Sequence, residues 1–403
     1  MKRLQAYKFQ LMATPTQERK MARFAGCRRF VYNEALALQK RRFESGESRL
    51  GYAALCRELT KWRHLKEKSF LAEAPTHPLQ QALKDLERAY GNFFGGRGGL
   101  PKFHRRGRQD GFRYPDPKQI KHDEVNGRIF LPKLGWMRYR KSREIAGAIK
   151  QVTVSRKCGR WYVSIQTERE LIGKERVNDS MVGIDMGVAR FATLSDGTVY
   201  EPENHYRRNE KRLAKAQRQM SRKRKFGANW RKQLKRVKQL HMRIAECRRD
   251  FLHKSTKTIC KNHAMVVIED LCVKGMSASA AGTLERPGTN VRAKAGLNKA
   301  ILDQGWGEFR RQLEYKQLWQ GGIVIAVAPR NTSRMCAKCG HTDAGNRTAQ
   351  EKFKCVACGE AENADLNAAR NILAAGRAVI ACGEVPMGAS AKQEPTVSAA
   401  SAA

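Results

Sequence analysis

Apolar positions along the chain change period twice. Residues 2–12 alternate as a strand does. From there to about residue 94 the apolar positions recur every three or four residues, and helices are predicted over 16–46, 51–63 and 77–94. Met21, Phe24, Phe30, Tyr32, Leu36 and Leu38 form one stripe of the first helix, a core face. Gly95-Gly96-Arg97-Gly98-Gly99 breaks the last helix. From about 110 to 170 the period is two. Asn126-Gly127 predicts a hairpin turn between strands at 121–125 and 128–131. Val152, Val154, Trp161, Val163 and Ile165 alternate across a turn at Cys158-Gly159. The pattern predicts a small β-barrel that the N-terminal strand completes, with the intervening helices inserted between barrel strands.

Beyond about residue 177 strands and helices alternate. Strands at 182–185, 191–194 and 199–200 form a meander with a tight turn at Asp196-Gly197, and further strands fall at 265–268 and 323–327. Helices are predicted over 203–260, 299–320 and from Asp365 onward. Residues 275–298, rich in Gly, Ala and Ser, read as a mobile segment, and 381–403 as a disordered tail. The order β-β-β-α-β-α-β-α is the ribonuclease H-like arrangement. The chain is therefore read as a multi-domain α+β protein: a β-barrel with inserted helices, then an α/β domain.

Three acids interrupt the second pattern. Asp185 lies in the first, otherwise apolar strand, Glu269 ends the fourth, and Asp365 opens the last helix. A charge inside a buried strand is costly unless it is paired or holds a metal. Strands one and four are neighbours in a ribonuclease H-like sheet, so the acids converge. Three carboxylates are hard oxygen ligands suited to Mg²⁺ or Mn²⁺, and two such ions support phosphodiester hydrolysis. Each acid alone has an ordinary explanation: Asp185 an arginine partner, Glu269 an exposed strand end, Asp365 its helix N-terminus. All three in register with one fold are harder to explain that way.

Cys336, Cys339, Cys355 and Cys358 read as two Cys-x2-Cys pairs, with Gly340 and Gly359 following where a knuckle turn needs positive φ. Four thiolates close a tetrahedron around one structural Zn²⁺. The other cysteines, seven of eleven, are scattered, as suits a reducing cytosol.

Charge narrows the partner. Lys and Arg number 79 against 38 for Asp and Glu, a formal net charge of +41. Such an excess points to nucleic acid. No apolar run is long enough to span a bilayer, and no signal-peptide core follows Met1, so a membrane role is not expected. Residues 207–254 carry 19 Lys/Arg against 3 Asp/Glu, a net of +16, without the interleaved acids of a solvated helix face. Within that stretch Arg222, Lys223, Arg224 and Lys225 are expected to meet phosphates, as are Lys102, Arg105 and Arg106 of the loop at 101–108. Phe103 in that loop adds a ring on which a base can stack.

Four motifs carry a resemblance. Gly183-Ile184-Asp185-Met186-Gly187-Val188, Val267-Ile268-Glu269-Asp270-Leu271, Thr332-Ser333-Arg334-Met335-Cys336 with its ribbon, and Asn363-Ala364-Asp365-Leu366-Asn367-Ala368-Ala369 resemble the TnpB family. These are transposon-encoded nucleases related to compact type V CRISPR effectors. Arg29-Phe30-Val31-Tyr32-Asn33 and the loop through Pro101-Lys102-Phe103 are also similar, so the resemblance covers roughly residues 1–376. It implies an enzyme that binds a guide RNA made from the transposon end. Such an enzyme recognises a short motif beside its target and cuts double-stranded DNA with one RuvC-type site. It implies that 1–12 and 97–176 form a wedge and 13–96 a recognition lobe. The RuvC nuclease would then take 177–330 and 363–380, the zinc ribbon 331–362, and 275–298 would be a lid. It further implies that Tyr52 and either Gln80 or Gln81 face the target-adjacent motif. Two other readings remain open on chemistry alone: an unguided transposase or resolvase-like recombinase, and a non-cleaving zinc-ribbon regulator.

Overall fold

The first alternating stretch forms one long strand, β1 (Lys2–Met12). Thr14 then stops the extended chain with a capping box: its hydroxyl accepts from the Gln17 N–H at 3.3 Å while its own N–H donates to Gln17 Oε1 at 3.1 Å. Pro15 opens α1 (Pro15–Glu44), followed by α2 (Tyr52–His64) and α3 (Thr76–Phe94). The computed structural model describes residues 2–108, 110–170, 180–283 and 285–382. The tail read as disordered lies, from 383 onward, outside the described residues, as does the predicted start of the nuclease domain at 177.

The chain divides into two units, 1–172 and 173–403. In the first, α1 to α3 are followed by β2 (Gly111–Tyr114), β3 (Lys121–Asp123), β4 (Arg128–Leu131), β5 (Gly135–Tyr139), β6 (Ala148–Lys157) and β7 (Arg160–Glu170). These make one seven-stranded sheet in the order β2-β6-β7-β1-β5-β4-β3. β1 sits at its centre, on β7 through residues 2–10 and on β5 through 11–12. Helices and sheet share one core, in which Met21, Phe24 and Leu36 of α1 join Phe112, Trp161 and Val163 of the strands. Two expectations change. Among the described residues no ladder joins β2 to β3, so the sheet stays open where a closed barrel was expected. The loop at Asn126-Gly127 spans four residues, because the last strand pair is Asp123 with Arg128. The Asp123 carboxylate holds it, accepting from the Asn126 backbone at 3.0 Å and from its side chain at 2.9 Å. Cys158-Gly159 is the tight turn expected, with φ of 50° and 83°.

The second unit opens with β8 (Met181–Asp185), β9 (Ala192–Leu194) and β10 (Val199–Tyr200). The basic stretch folds as a helical hairpin, α4 (His205–Ser221) and α5 (Ala228–Asn262), with its own small core of Leu213, Ala216, Val237 and Leu240. Then come β11 (Met265–Glu269), the short α6 (Val273–Met276), α7 (Val291–Gln304), α8 (Trp306–Trp319) and β12 (Ile323–Val327). Two further corrections fall here. The helix expected over 299–320 is two helices, broken at Gly305, whose φ of 76° no helix interior adopts. α7 also begins at Val291, inside the stretch read as mobile; its Gly- and Ala-rich first turns hid the pattern. The sheet order is β10-β9-β8-β11-β12, with β8, β11 and β12 parallel, as the motif order predicts. The ribbon follows with β13 (Lys352–Lys354) and β14 (Ala361–Asn363), and α9 (Ala364–Ala381) closes the described chain.

Glycines let α9 lie directly on the sheet. A Cβ at Gly183 of β8 would overlap the carbonyl of Ala369, and one at Gly376 of α9 would overlap the side chain of Val267 in β11. The helix therefore rests on two neighbouring strands at the smallest spacing the backbone permits.

Candidate active site

Asp185 and Glu269 are the last residues of β8 and β11. The ladder pairs Ile184 with Ile268, so the acids follow one step later on both strands and project from the same face. Asp365 arrives from α9. Asn363 caps that helix, its Oδ1 accepting from the N–H groups of Asp365 at 3.0 Å and Leu366 at 3.3 Å.

Asp185 lies within electrostatic reach of both other acids. Burial pushes the Asp185 carboxyl up to about 7, and the charges of Glu269 and then Asp365 add to the effect. Burial also raises Asp365, against the pull of Arg347, whose Nη2 lies 3.7 Å from Oδ1, and of Arg190. Glu269 is 8 % exposed and raised by burial, and only the Thr332 hydroxyl, 2.6 Å from Oε1, favours its charged form. Two guanidiniums, Arg347 and Arg190, act on three carboxylates, of which Glu269 is buried and Asp185 and Asp365 are half-buried, so the fully ionised site keeps a net negative charge. A donor set of hard oxygens in that state fits divalent cations such as Mg²⁺ or Mn²⁺.

Sequence reasoning quoted Thr332 and Asn367 within motifs but gave them no role, and it passed over Asn371 and Arg347. Asn367 and Asn371 are 0 % and 2 % exposed on α9. Asn371 Nδ2 donates to the carbonyls of Thr332 at 2.9 Å and Met335 at 2.6 Å. Asn367 donates to Met335 O at 2.8 Å and accepts from the Ala337 N–H at 2.9 Å. Two asparagines one turn apart thus fix the segment that carries Thr332 to Glu269. Their signal was present: polar residues four apart on a face otherwise made of Ala368, Ala369 and Ile372.

The four ribbon cysteines bring their sulfurs within 4.8 Å of one another. Among the described residues this is the one group of three or more such donors gathered so tightly. Gly340 and Gly359 adopt φ of 76° and 74°, the knuckle geometry expected. The backbone N–H of Cys358 pulls the Cys355 thiol down to about 6, toward the thiolate that a zinc ion binds.

The remaining candidates divide between the units. In the first, Lys102, Phe103, Arg105 and Arg106 are exposed or nearly so on the loop before β2. Tyr52 of α2 lies under the ammonium of Lys84, 5.1 Å from the ring centroid, and Gln80 is half-buried one turn before Lys84 on α3. Gln81 is buried in the core. In the second, Arg222, Lys223, Arg224 and Lys225 form the exposed tip of the helical hairpin, and none makes an ion pair among the described residues.

The chain is similar to known proteins along most of its length. Residues 162–280 match the family described as a probable transposase of the OrfB IS605 type, and 306–372 match the Cas12f1-like TNB domain. Residues 1–48 match a helix-turn-helix domain of the same OrfB type, although here they hold a strand and one unbroken helix. A protein of Escherichia coli (strain K12) with the provisional name RNA-guided DNA endonuclease InsQ is 58 % identical over 397 residues, 98 % of each chain. A protein of Streptomyces pristinaespiralis with the same provisional description is 36 % identical, over 94 % of this chain and 91 % of its own. The CRISPR-associated endodeoxyribonuclease Cas12f1 of Sulfoacidibacillus thermotolerans is 30 % identical over 57 % of this chain and 54 % of its own. A cryo-EM structure of a Cas12f1–sgRNA–target DNA complex shares the fold, with a TM-score of 0.56 over 92 % of this chain and 98 % of that one at 14 % identity.

Proposed function

Because the chain belongs to the TnpB family, we propose that it is an RNA-guided endonuclease of a transposable element, cutting double-stranded DNA beside a short motif at a single RuvC-type site. The observation that carries the reading is that Asp185 and Glu269 end neighbouring parallel strands, that Asp185 feels the charges of both Glu269 and Asp365, and that burial raises all three carboxyls. These three would hold two Mg²⁺ or Mn²⁺ ions, which supply an activated water and charge stabilisation at the leaving oxygen. The chain's own residues do the positioning. Thr332 orients Glu269, Asn367 and Asn371 hold Thr332 in place, and Arg347 steadies Asp365. Cys336, Cys339, Cys355 and Cys358 would hold one Zn²⁺ and keep the ribbon folded against α9.

The guide RNA, drawn from the transposon end, reads the target by base pairing, while the protein supplies backbone and motif contacts. Tyr52 and Gln80 are the residues assigned to the motif; Gln81 is buried. The test is to load the full chain with RNAs that differ only in the guide segment. The cut should move with the guide. Site-specific cutting by RNA-free protein, or a cut that ignores the guide, would leave the unguided recombinase in its place.

A further inference from the structure

Two cavities in the first unit share a wall, the ring of Phe103. That ring is 48 % exposed, yet its loop is held firmly. His104 stacks on Tyr32 with centroids 3.7 Å apart and planes 7° from parallel. Asn33 grips the His104 backbone at both ends, donating from Nδ2 to its carbonyl at 3.0 Å and accepting from its N–H at 2.8 Å. A large apolar ring on a clamped loop does not reach solvent by looseness of the chain.

The two sides of the ring differ in charge. One cavity, of about 460 Å³, is lined by Lys40, Lys102, Arg105 and Arg108 and by no acid. The Lys40 ammonium lies over the ring, 4.9 Å from its centroid. The other cavity, of about 490 Å³, is lined by Arg29, Phe30, Glu34 and Phe70. Phe30 and Phe70 meet edge to face at 5.2 Å, which gives that side aromatic walls. Arg29 is spoken for by Asp110 at 3.1 Å, and Glu34 Oε1 by Lys68 at 2.8 Å. Glu34 Oε2 has no hydrogen-bond partner among the described residues.

We propose that Phe103 is the platform of a single-nucleotide subsite for single-stranded RNA. One unstacked base lies against the ring in the Phe30–Glu34–Phe70 cavity, and the adjoining phosphates lie in the Lys40–Lys102–Arg105–Arg108 cavity. A phosphate meets only paired charges on the side of Arg29 and Glu34 and is drawn to the side that carries four cations and no acid. A base has a π-face for the ring, and Glu34 Oε2 can accept from a ribose 2′-hydroxyl, which DNA lacks. The inference takes only the identity of the strand from the proposed function; the subsite itself stands on the cavities.

The experiment uses the full chain and a decamer of uridines carrying one 4-thiouridine, with crosslinked peptides mapped by mass spectrometry. The crosslink should fall on Phe103. Phe103→Ala should weaken RNA binding about 5- to 100-fold, the range of one missing base stack, without changing the salt dependence. Phe103→Trp should keep the affinity. Lys102→Ala and Arg105→Ala should weaken binding and each lower the log–log salt slope by about one. A thymidine decamer should bind more weakly than the ribose strand. On an RNA made abasic throughout, Phe103→Ala should cost nothing. Crosslinks confined to other peptides, or equal binding of base-containing RNA by the wild type and Phe103→Ala, would overturn the subsite. Equal binding of the thymidine decamer would overturn its assignment to RNA. No arm depends on cutting, so failure of guided cleavage would leave these results standing and would be recognised separately.

Discussion

The hydroxyl of Thr332 donates a 2.6 Å hydrogen bond to Oε1 of Glu269, across 63 residues of sequence. Both partners are buried, and this bond is what favours the charged form of Glu269 against burial. Thr332→Val keeps the shape and removes the donor. A hydrogen bond to a charged group contributes about 1.5–3 kcal/mol, so cleavage at limiting Mg²⁺ should fall about 10- to 100-fold. Thr332→Ser should retain most of the activity. Single-turnover cleavage against Mg²⁺ concentration checks both, and an unaffected Thr332→Val would end the positioning role.

Removing any one acid should stop the reaction. Asp185→Asn, Glu269→Gln and Asp365→Asn should each abolish cleavage while leaving RNA and DNA binding largely intact, since affinity comes from the basic surface. Their combination should do no more than each alone, because the acids act as a unit. Mg²⁺-dependent cutting by a single variant would remove that residue from the site.

Protein without Mg²⁺ or Mn²⁺ should lose stability as pH rises toward neutrality. Asp185 titrates near 7 in the fold and at 3.8 in the unfolded chain. Between those values the folded state binds more protons than the unfolded one, so stability falls across that window and levels off above about pH 7. In Mg²⁺- and Mn²⁺-free buffer without chelator, which leaves the ribbon zinc in place, the thermal midpoint should drop between pH 5 and pH 8. Asp185→Asn should flatten the drop, and added Mg²⁺ should reverse it. A flat profile in the wild type would show that Asp185 ionises at no cost in the fold.

The purified protein should carry one equivalent of zinc. Cys355→Ser should unfold the ribbon locally, because a loop with little apolar core takes its folding free energy from the metal. The Ala337 N–H bonds Asn367 on α9, so unfolding of the ribbon should also lower cleavage. Metal analysis of active protein, with limited proteolysis near 336–358, decides it; active protein without zinc would refute the assignment.

Neutralising the hairpin tip, Arg222, Lys223, Arg224 and Lys225, should weaken RNA binding across sequences. The log–log salt slope should fall by about one for each phosphate that the tip no longer neutralises. An unchanged slope would place the phosphates elsewhere.

Most of the sheet in the second unit was legible because its strands are short, apolar and bounded by turns, and because Asp185 and Glu269 stand out against them. The ribbon was legible from spacing alone. The break at Gly305 was not, since a lone glycine in a helical pattern is ordinarily tolerated. The open sheet of the first unit was not legible either, since alternation marks the buried face of a strand but does not say whether two edges meet. Thr332 and Asn371 escaped because their meaning lies in partners 63 and 39 residues away. Alternation and spacing report on neighbours along the chain, and these contacts are made only after folding.

The packing of α9 on Gly183 and Val267 has a consequence for how the enzyme is made. The ribosome finishes the first unit by residue 172 and lays down Asp185 and Glu269 long before Asp365. Until α9 emerges, the strip of β8 and β11 that it covers has no lid, and the third acid is absent. A nascent chain can therefore complete its first unit while the site proposed for cleavage still lacks a wall. The order of synthesis completes the proposed site last.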